Sequence, residues 1–371
     1  MRELSEDMMM LANEIGLTEE LIQDGVEQTL GIAEDKGLDL SKNVLVGFDM
    51  NGPMTATWDA SLRPRPGVPK GVLTLHGIPK TILSGWDITT IENFLYNKMG
   101  FQDMKNFHMV GELGAVYKYE GEIIEPNPVP EEDVIKLWHN IFEGAAKKNL
   151  KIAVQGNVSS SVGDIYMEGE SPSRGNLRGH FLVKNRDVST RDIYNSLGDG
   201  FEYKDEKIEF ESTDENVKKL HEVLSRKYTL QPLRFGERGR KIYFWRDKND
   251  REDFDLRDME KIARKIIPDE WEIDPNNDYC VDFKRKGIEI DKEYTANLLA
   301  RSIFQHEDYV ITNVGDKPGD MLKGENTINY PQFGTKAYAY CKKEGIPHIP
   351  VVHAGDYSMI LAEAIRISKG G

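Results

Sequence analysis

The residues of this chain that are best suited to chemistry stand where short apolar segments end. An apolar run over residues 44–48 is followed by Asp49, Asn51 and Gly52. This pattern predicts a buried strand that delivers a carboxylate to a tight loop at its carboxyl end. Ligands bind at that edge of open α/β sheets, where a carboxylate serves as a nucleophile or as a metal ligand. Asp49 is therefore the first candidate functional residue.

Further polar residues follow other predicted strands or open a predicted helix. They are Ser84, Gly85, Lys292, Asp316 and Asp320. Ser84 is suited to hydrogen-bond a phosphoryl oxygen, and Lys292 is suited to offset the charge of a nucleophile and a phosphate. Asp316 and Asp320 are suited to Mg²⁺, a hard cation that prefers oxygen ligands. Together with Asp49, this set indicates phosphoryl transfer to a carboxylate.

Each of these residues also has an ordinary structural interpretation. Asp49 is compatible with a metal or phosphate site that has no turnover. Asp316 suits a turn in a loop rich in Gly and Pro, and Asp320 suits a cap. Ser84 is compatible with a plain strand end, and Lys292 competes with other lysines close to it in the sequence.

The elements that must position these residues alternate between strands and helices. Predicted strands cover residues 44–49, 80–84, 107–111, 308–315 and 349–353. Predicted helices cover residues 67–76, 87–98, 292–304, 334–345 and 357–368. This alternation favours a parallel sheet with helices on both faces. Two short helices within residues 5–36, the second capped by Thr18, precede the sheet.

A proline-rich stretch, residues 122–130, interrupts this alternation and is typical of a linker or hinge. The residues after it mix an amphipathic helix at 134–145 with further elements. The pattern there predicts strands at 151–154 and 241–245 and helices at 217–224 and 256–266. We therefore expect an N-terminal helical hairpin at 1–40, a discontinuous core at 41–121 and 289–371, and an inserted α+β domain at 122–288.

Composition narrows the class of protein. The 371 residues carry a formal net charge of −15, which argues against a general nucleic-acid binder even though residues 234–245 mix arginine with aromatic side chains. Cys280 and Cys341 form neither a metal knuckle nor a disulfide framework and suit a cytoplasmic protein. No apolar stretch reaches the roughly 18 residues of a membrane span. The oligomeric state is left open, a homodimer included.

Taken in order, these motifs resemble those of the haloacid dehalogenase-like (HAD) phosphohydrolase superfamily. Residues 48–54 resemble the first motif, usually Asp-x-Asp-Gly-Thr, and residues 82–85 resemble the second, whose key residue is Ser or Thr. Lys292 resembles the lysine motif, and residues 315–320 resemble the metal-binding motif. Residues 110–117 are similar to the Glu-Asn-Gly-Ala stretch of members with a large cap.

The resemblance implies a Rossmann-like parallel-sheet HAD core with an inserted α+β cap of the large (C2) type, similar to sugar-phosphate phosphatases and phosphomannomutases. It implies a Mg²⁺-dependent phosphohydrolase that acts on a small phosphorylated metabolite, expected to be a sugar phosphate, through an aspartyl-phosphate. The implied metal site consists of Asp49, the backbone carbonyl of Asn51, Asp316 and Asp320. The implied catalytic and substrate-binding residues are Asp49, Asn51, Ser84, Gly85 and Lys292.

Asn51 departs from the family pattern. It stands where phosphatases have the acid that protonates the leaving alcohol and then activates water, and losing such a group typically costs about 10²–10⁴-fold in rate. Pro53 replaces the usual Thr, and Trp86 stands where Arg is common. Two further hypotheses therefore stay open. One is a phosphate-binding or regulatory module without turnover, and the other is replacement of the acid by a neighbour, Asp59 or Asp87.

Overall fold

The computed structural model consists of helices and strands, which alternate regularly over residues 43–111. The helices are α1 (Glu6–Glu14), α2 (Glu19–Asp35), α3 (Val68–Leu73), α4 (Ile88–Asn93), α5 (Thr190–Leu197), α6 (Lys292–Ile303), α7 (Lys336–Glu344) and α8 (Ala354–Ser368). A π-helical turn, Phe94–Lys98, continues α4, and 3₁₀ turns cover Glu112–Gly114 and Pro318–Asp320. None of the described helices combines the length and the apolar character needed to cross a bilayer.

The strands form two sheets. They are β1 (Asn43–Phe48), β2 (Lys80–Leu83), β3 (Phe107–Gly111), β4 (Val116–Tyr119), β5 (Glu122–Ile124), β6 (Ile152–Gln155), β7 (Ile165–Glu168), β8 (Arg178–Phe181), β9 (Phe201–Lys204), β10 (Lys207–Glu211), β11 (Lys241–Phe244), β12 (Trp271–Asp274), β13 (Val281–Arg285), β14 (Tyr309–Gly315) and β15 (Thr327–Pro331). The structure describes residues 6–14, 16–55, 62–86, 88–128, 140, 152–155, 165–168, 178–181, 190–204, 207–211, 215–216, 219, 223, 241–244, 261, 264–265, 267–274, 281–287, 291–305 and 307–370.

The chain divides into two units. The first joins Met1–Pro126 to Asp291–Gly371, and the second is Asn127–Ile290. The first unit carries a seven-stranded sheet with the order β15-β14-β1-β2-β3-β4-β5. Its first five strands pair in parallel, whereas β4 and β5 add an antiparallel hairpin. The predicted α/β fold with a Rossmann-like parallel core is therefore confirmed.

Apolar residues on both faces of the central strands explain why helices cover both faces of this sheet. Leu45 and Ile311 are completely buried and share a core cluster with Leu299 of α6. Phe48 and Tyr330 instead pack against Tyr357 of α8, with ring centroids 5.3 and 4.6 Å apart. Because β1 and β14 are central and parallel, their carboxyl ends meet at one edge of the sheet.

The N-terminal helices are part of the first unit. Thr18 caps α2 as predicted, since its side chain accepts the N–H of Leu21. Thr29 is buried and its hydroxyl lies 2.9 Å from the hydroxyl of Tyr330, while Lys36 donates to a backbone carbonyl of β15 at 2.8 Å. These contacts pack α2 onto the sheet.

The strand predicted at 349–353 is wrong as a regular strand. Only one isolated bridge, from Val351 to Gln332, forms there, and another joins the preceding His348 to Asn329. Pro347 and Pro350 remove backbone donors from the segment, which prevents a continuous ladder. The outer strand on this side is β15, which we did not predict because its polar and apolar residues are all buried and show no one-sided pattern.

Several other elements have boundaries that differ from the predicted ones. The stretch interpreted as a linker from residue 122 begins with β5, so the sheet continues to Ile124. The helix predicted at 67–76 ends at Leu73, and the one predicted at 87–98 becomes a π-helical turn after Asn93. The helices predicted at 134–145, 217–224 and 256–266 lie almost wholly outside the described residues.

The second unit carries an eight-stranded sheet with the order β12-β13-β11-β6-β7-β8-β10-β9. All the strand pairs described in this sheet are antiparallel. Helix α5 packs on β9 and β10 through the buried side chain of Ile193. The described part of this unit therefore has the predicted α+β character.

A turn with left-handed backbone conformation follows β3 and contacts the start of α6. Glu112, Leu113 and Gly114 have φ angles of 53°, 58° and 101°. The carbonyl of Gly114 accepts the hydroxyl of Thr295 at 2.6 Å, and a Cβ at position 114 would lie 2.2 Å from the carbonyl oxygen of Asp291. Glycine at this position therefore allows the turn to touch the first residues of α6 directly.

We expect Gly114→Ala to destabilise the protein. Its Cβ would overlap the carbonyl of Asp291 in a backbone conformation that L side chains rarely adopt, so the free energy of unfolding should fall by about 2–4 kcal/mol. Gly121→Ala is the matched control, with a φ of 87° but nothing within 4 Å of its Cβ. Its cost should stay near 1 kcal/mol. Urea unfolding of both variants compares them, and equal losses would show that the contact with α6 is unimportant.

Candidate active site

The loop after β1 is closed by hydrogen bonds at the carboxyl edge of the sheet. The N–H of Asp49 donates to a carbonyl of β14 at 2.9 Å. The carbonyl of Met50 accepts the N–H and the hydroxyl of Thr55 at 3.0 and 3.2 Å. Nε of Arg65 donates to the carbonyls of Gly52 and Thr55 at 2.6 and 3.1 Å. These hydrogen bonds therefore fix the backbone at Asp49 and in the loop that follows it.

One glycine lets this loop approach the loop after β14, and a second lets that other loop fold tightly. Gly52 has a φ of 95°, and a Cβ there would lie 2.6 Å from a carboxylate oxygen of Asp316. A Cβ on Gly315 would lie 2.3 Å from the Cβ of Asp320. The absence of a side chain at position 52 therefore lets Asp316 approach the loop after β1, and the absence of one at position 315 lets Asp320 pack onto the end of β14.

Lys292 joins two of these acids. Its Nζ donates to Oδ1 of Asp49 at 2.7 Å and to Oδ1 of Asp320 at 2.5 Å, and all three residues are buried. Asp291 caps α6 by accepting the N–H of Tyr294 at 2.7 Å, so the lysine stands in the first turn of the helix. A buried charge of this kind is tolerated only with close partners of opposite sign.

Burial and mutual repulsion change the proton affinities of the cluster. Burial, and then the charge of Asp320, raise the pKa of Asp49 to about 7 although Lys292 lowers it. The same two causes raise the pKa of Asp316 to about 6. Burial alone would lower the pKa of Lys292, but the charges of Asp320 and Asp49 raise it above its ordinary value. One ammonium therefore does not offset the three carboxylates, and a second cation would relieve their repulsion.

The cluster fits a divalent cation. Asp49, Asp316 and Asp320 each offer a carboxylate oxygen, and these atoms lie within 4.8 Å of one another. Oδ1 of Asp316 is buried and has no hydrogen-bond partner among the described residues. Both oxygens of Asp320 already accept hydrogen bonds, from Lys292 and from the N–H of Lys317. Asp49 and Asp316 thus have the freer oxygens, which suit a hard cation such as Mg²⁺.

Residues that carry no motif hold the acidic loop in place. The side-chain amide of Asn313 donates to the carbonyl of Asp320 at 2.6 Å. Asn329 accepts the N–H of Leu322 at 2.9 Å and donates to its carbonyl at 2.7 Å. Glu293 accepts two further N–H groups of the same loop at 2.8 and 2.6 Å. We did not predict these three positioning residues, because a side chain that bonds to distant backbone leaves no local pattern.

The remaining predicted residues lie at neighbouring strand ends. Ser84 is buried at the end of β2, where its Oγ accepts the N–H of Trp86 at 3.2 Å and its proton has no acceptor among the described residues. Gly85 follows it and is half-buried. Asn51 is half-buried in the loop after β1 and forms a β-bridge with Thr55.

The two acids proposed as replacements for the missing general acid, Asp59 and Asp87, lie outside the described residues. The structure thus groups Asp49, Lys292, Asp316 and Asp320 directly. The roles of these residues stay predictions.

Comparison with known proteins shows a likeness of fold. No family model matches the chain, and no curated protein matches its sequence. A solved structure from Thermotoga maritima has a TM-score of 0.50 and 13% identity, covering 87% of this chain and 97% of that one. A haloacid dehalogenase-like hydrolase from Bacteroides thetaiotaomicron has a TM-score of 0.49 and 14% identity, covering 88% of this chain and 100% of that one. A sugar phosphatase of HAD subclass IIB has a TM-score of 0.45 and 14% identity, covering 88% and 98%.

We expect the affinity for Mg²⁺ to rise with pH. The raised pKa values of Asp49, about 7, and Asp316, about 6, mean that protons occupy the ligands below neutral pH and must leave before a cation binds. Affinity should therefore fall about tenfold per pH unit below 7 for each proton displaced, and level off above it. Titration calorimetry with Mg²⁺ between about pH 5.5 and about pH 8 measures this dependence.

Two variants give this experiment its controls. Asp316→Asn removes the carboxylate with the unpartnered oxygen and should abolish the pH-dependent binding. Asp308→Asn changes an exposed acid just before β14, at the opposite end of the same strand, and should leave it unchanged. Binding that is independent of pH, or equal in both variants, would contradict a metal site at these acids.

Proposed function

We propose that this protein is a Mg²⁺-dependent phosphohydrolase of the HAD type that acts on a small phosphorylated metabolite, with a sugar phosphate as the expected substrate. One observation carries the proposal. A buried lysine donates to two carboxylates, Asp49 and Asp320, with the third acid Asp316 beside them, at the carboxyl edge of a parallel sheet. The resemblance of the ordered motifs supports the same chemistry.

The reaction has two displacements. In the first, an oxygen of Asp49 forms a bond to phosphorus while the bond from phosphorus to the substrate oxygen breaks, and the electron pair goes to the leaving group. In the second, a water oxygen bonds to phosphorus and the bond to Asp49 breaks, which regenerates the carboxylate and yields inorganic phosphate. Asp49 thus acts as a covalent nucleophile.

The other residues manage charge and position. In this proposal Lys292 offsets the negative charge of Asp49 and of the phosphoryl group, and the hydroxyl of Ser84 donates to a phosphoryl oxygen. Asp49, Asp316 and the backbone carbonyl of Asn51 are the proposed metal ligands, with Asp320 beside them. When bound, Mg²⁺ would neutralise charge on the phosphoryl oxygens.

We expect Asp49→Asn to abolish hydrolysis of p-nitrophenyl phosphate. An amide cannot form the acyl-phosphate, so the rate should fall by at least about 10³-fold in the presence of Mg²⁺. Asp308→Asn is the matched control and should keep the wild-type rate. Release of nitrophenolate is followed by absorbance, and full activity of Asp49→Asn would show that this mechanism is wrong.

A second candidate function is supported by Asn51. A site that binds phosphate and metal but lacks the general acid suits a binding or regulatory module without turnover. If the wild type releases no phosphate from p-nitrophenyl phosphate or from sugar phosphates, while calorimetry detects Mg²⁺-dependent binding of inorganic phosphate, this second function replaces the first.

We expect Lys292→Met to lower hydrolysis by at least about 10²-fold, because it removes the only described cation that contacts Asp49 and leaves two buried carboxylates uncompensated. Lys286→Met tests a lysine that competes for the same role in the sequence. Lys286 is exposed and donates to the carbonyl of Asp269 at 2.6 Å, so its loss should not change the rate. Similar rates for the two variants would remove Lys292 from the mechanism.

A further inference from the structure

By the resemblance of the first motif, Asn51 stands where an acid would pass a proton to the leaving group. The loop that carries it is closed by the bonds of Met50 and Thr55 and is tied to Arg65. Next to it, Gly52 lies against the carboxylate of Asp316. The backbone of the loop at positions 51 and 52 therefore lies beside the acidic cluster. Since an amide neither protonates an alkoxide nor takes a proton from water near neutral pH, this position supplies no acid and no base.

Among the described acids around the loop, Asp316 has an oxygen without a partner, and the proposed function assigns that carboxylate to the metal. Asp49 and Asp320 both accept from Lys292, and Asp320 also accepts a backbone N–H. His353 lies behind the loop, because the residue after it donates its N–H to the carbonyl of Pro53 at 3.0 Å. Its Nδ1 accepts the N–H of Gly355 at 2.9 Å, and burial lowers the pKa of His353, so the ring carries no extra proton near neutral pH.

One more carboxylic acid stands at this edge of the sheet. Glu112 is buried in the turn with left-handed backbone conformation at the end of β3, and its N–H donates to the carbonyl of Trp86 at 3.0 Å. Because β3 is separated from β1 by β2, Glu112 lies on the side of Ser84 rather than on the side of Asp316. We therefore treat it as a candidate acid that the experiment must test.

We infer, on the basis of the proposed hydrolase function, that the substrate is a phosphate whose leaving group departs as a stable anion. Acyl phosphates and phosphoanhydrides are the clearest members of this class. Among sugar phosphates, the inference favours an anomeric 1-phosphate over a primary 6-phosphate, because the anomeric oxygen is the better leaving group.

The balance of the first step explains this preference. The new bond joins an oxygen of Asp49 to phosphorus, the broken bond releases the substrate oxygen, and both electrons leave with that oxygen. A carboxylate, a phosphate or a nitrophenolate is stable in this form and needs no proton. A primary alcohol would depart as an unstable alkoxide, which only solvent could protonate. The lack of a positioned acid lowers the rate by about 10²–10⁴-fold.

The second step has a related consequence. Water must lose a proton as its oxygen bonds to phosphorus, and position 51 offers no base to take it, so the proton passes to the phosphate product or to bulk water. With an activated substrate, the first step is therefore fast and the second slow. The aspartyl-phosphate on Asp49 should accumulate, and the leaving group should appear in a burst of about one per site.

A series of substituted phenyl phosphates tests the inference, because ring substituents change the acidity of the leaving group with little change in shape. For the wild type with Mg²⁺, kcat/KM should rise steeply with leaving-group acidity, and p-nitrophenyl phosphate should show the burst. In Asn51→Asp, the slow phenyl phosphates should gain about 10²–10⁴-fold and p-nitrophenyl phosphate much less, so the dependence becomes shallow. Three further substrates extend the comparison. We expect the rate to be highest on acetyl phosphate, lower on glucose 1-phosphate and lowest on glucose 6-phosphate.

The outcomes separate the two proposals. A shallow dependence in the wild type, or equal rates on acetyl phosphate and glucose 6-phosphate, overturns the inference and leaves the hydrolase function standing. Activity on none of these compounds, or activity that Asp49→Asn retains, overturns the hydrolase function and the inference with it. The wild-type series stands by itself if Asn51→Asp fails to fold.

Four further variants test for a replacement acid. They are Asp59→Asn, Asp87→Asn, Glu112→Gln and His353→Asn. If the inference is correct, none of them lowers the rate on unsubstituted phenyl phosphate much more than the rate on p-nitrophenyl phosphate. A loss of about 10²-fold confined to phenyl phosphate in any one of them would identify an acid that serves in place of Asn51 and would overturn the inference.

Discussion

The arrangement of the candidate site depends on one ammonium between two buried carboxylates. Lys292 contacts Asp49 and Asp320, which come from different strands of the sheet, and it stands itself on the first turn of a helix far along the chain. Three acids in a buried space would otherwise repel one another, and the raised pKa values of Asp49 and Asp316 show that the repulsion is only partly offset. A further positive charge would therefore stabilise the cluster, and in the proposed function Mg²⁺ would supply it when the phosphoryl group binds.

Close approach of backbone segments makes this contact possible. Gly52 lacks a side chain that would separate the two acidic loops, Gly315 lets Asp320 pack onto the end of β14, and Gly114 lets the turn after β3 touch the start of α6. Buried side-chain amides then stabilise this arrangement, since Asn313 and Asn329 form hydrogen bonds to the backbone of the acidic loop. Fixed positions of this kind matter for catalysis because charges that need no reorganisation stabilise a transition state best.

The fold and the chemistry are separate questions in this protein. A Rossmann-like core with an inserted unit is compatible with many activities, so function must be argued from the side chains at the strand ends. We propose that those side chains carry out a covalent phosphoryl transfer, and we infer that the amide of Asn51 restricts the leaving groups that such a site would release. Asn and Asp differ in one side-chain atom, nitrogen or oxygen, and the backbone of the loop does not depend on which of the two stands at position 51.

The sequence by itself determined the class of fold and the candidate residues. Apolar runs that end at Asp49, Ser84 and Asp316 predict parallel strands, and parallel strands place their carboxyl ends at one edge. Local patterns carry this information because whether a strand is buried can be judged from residues that are adjacent in the sequence. Only the tertiary structure decided that Lys292 contacts both Asp49 and Asp320, that β15 forms the outer strand instead of 349–353, and that Glu293 supports the acidic loop. Those outcomes depend on contacts between residues distant in the chain, whose geometry no local spacing records.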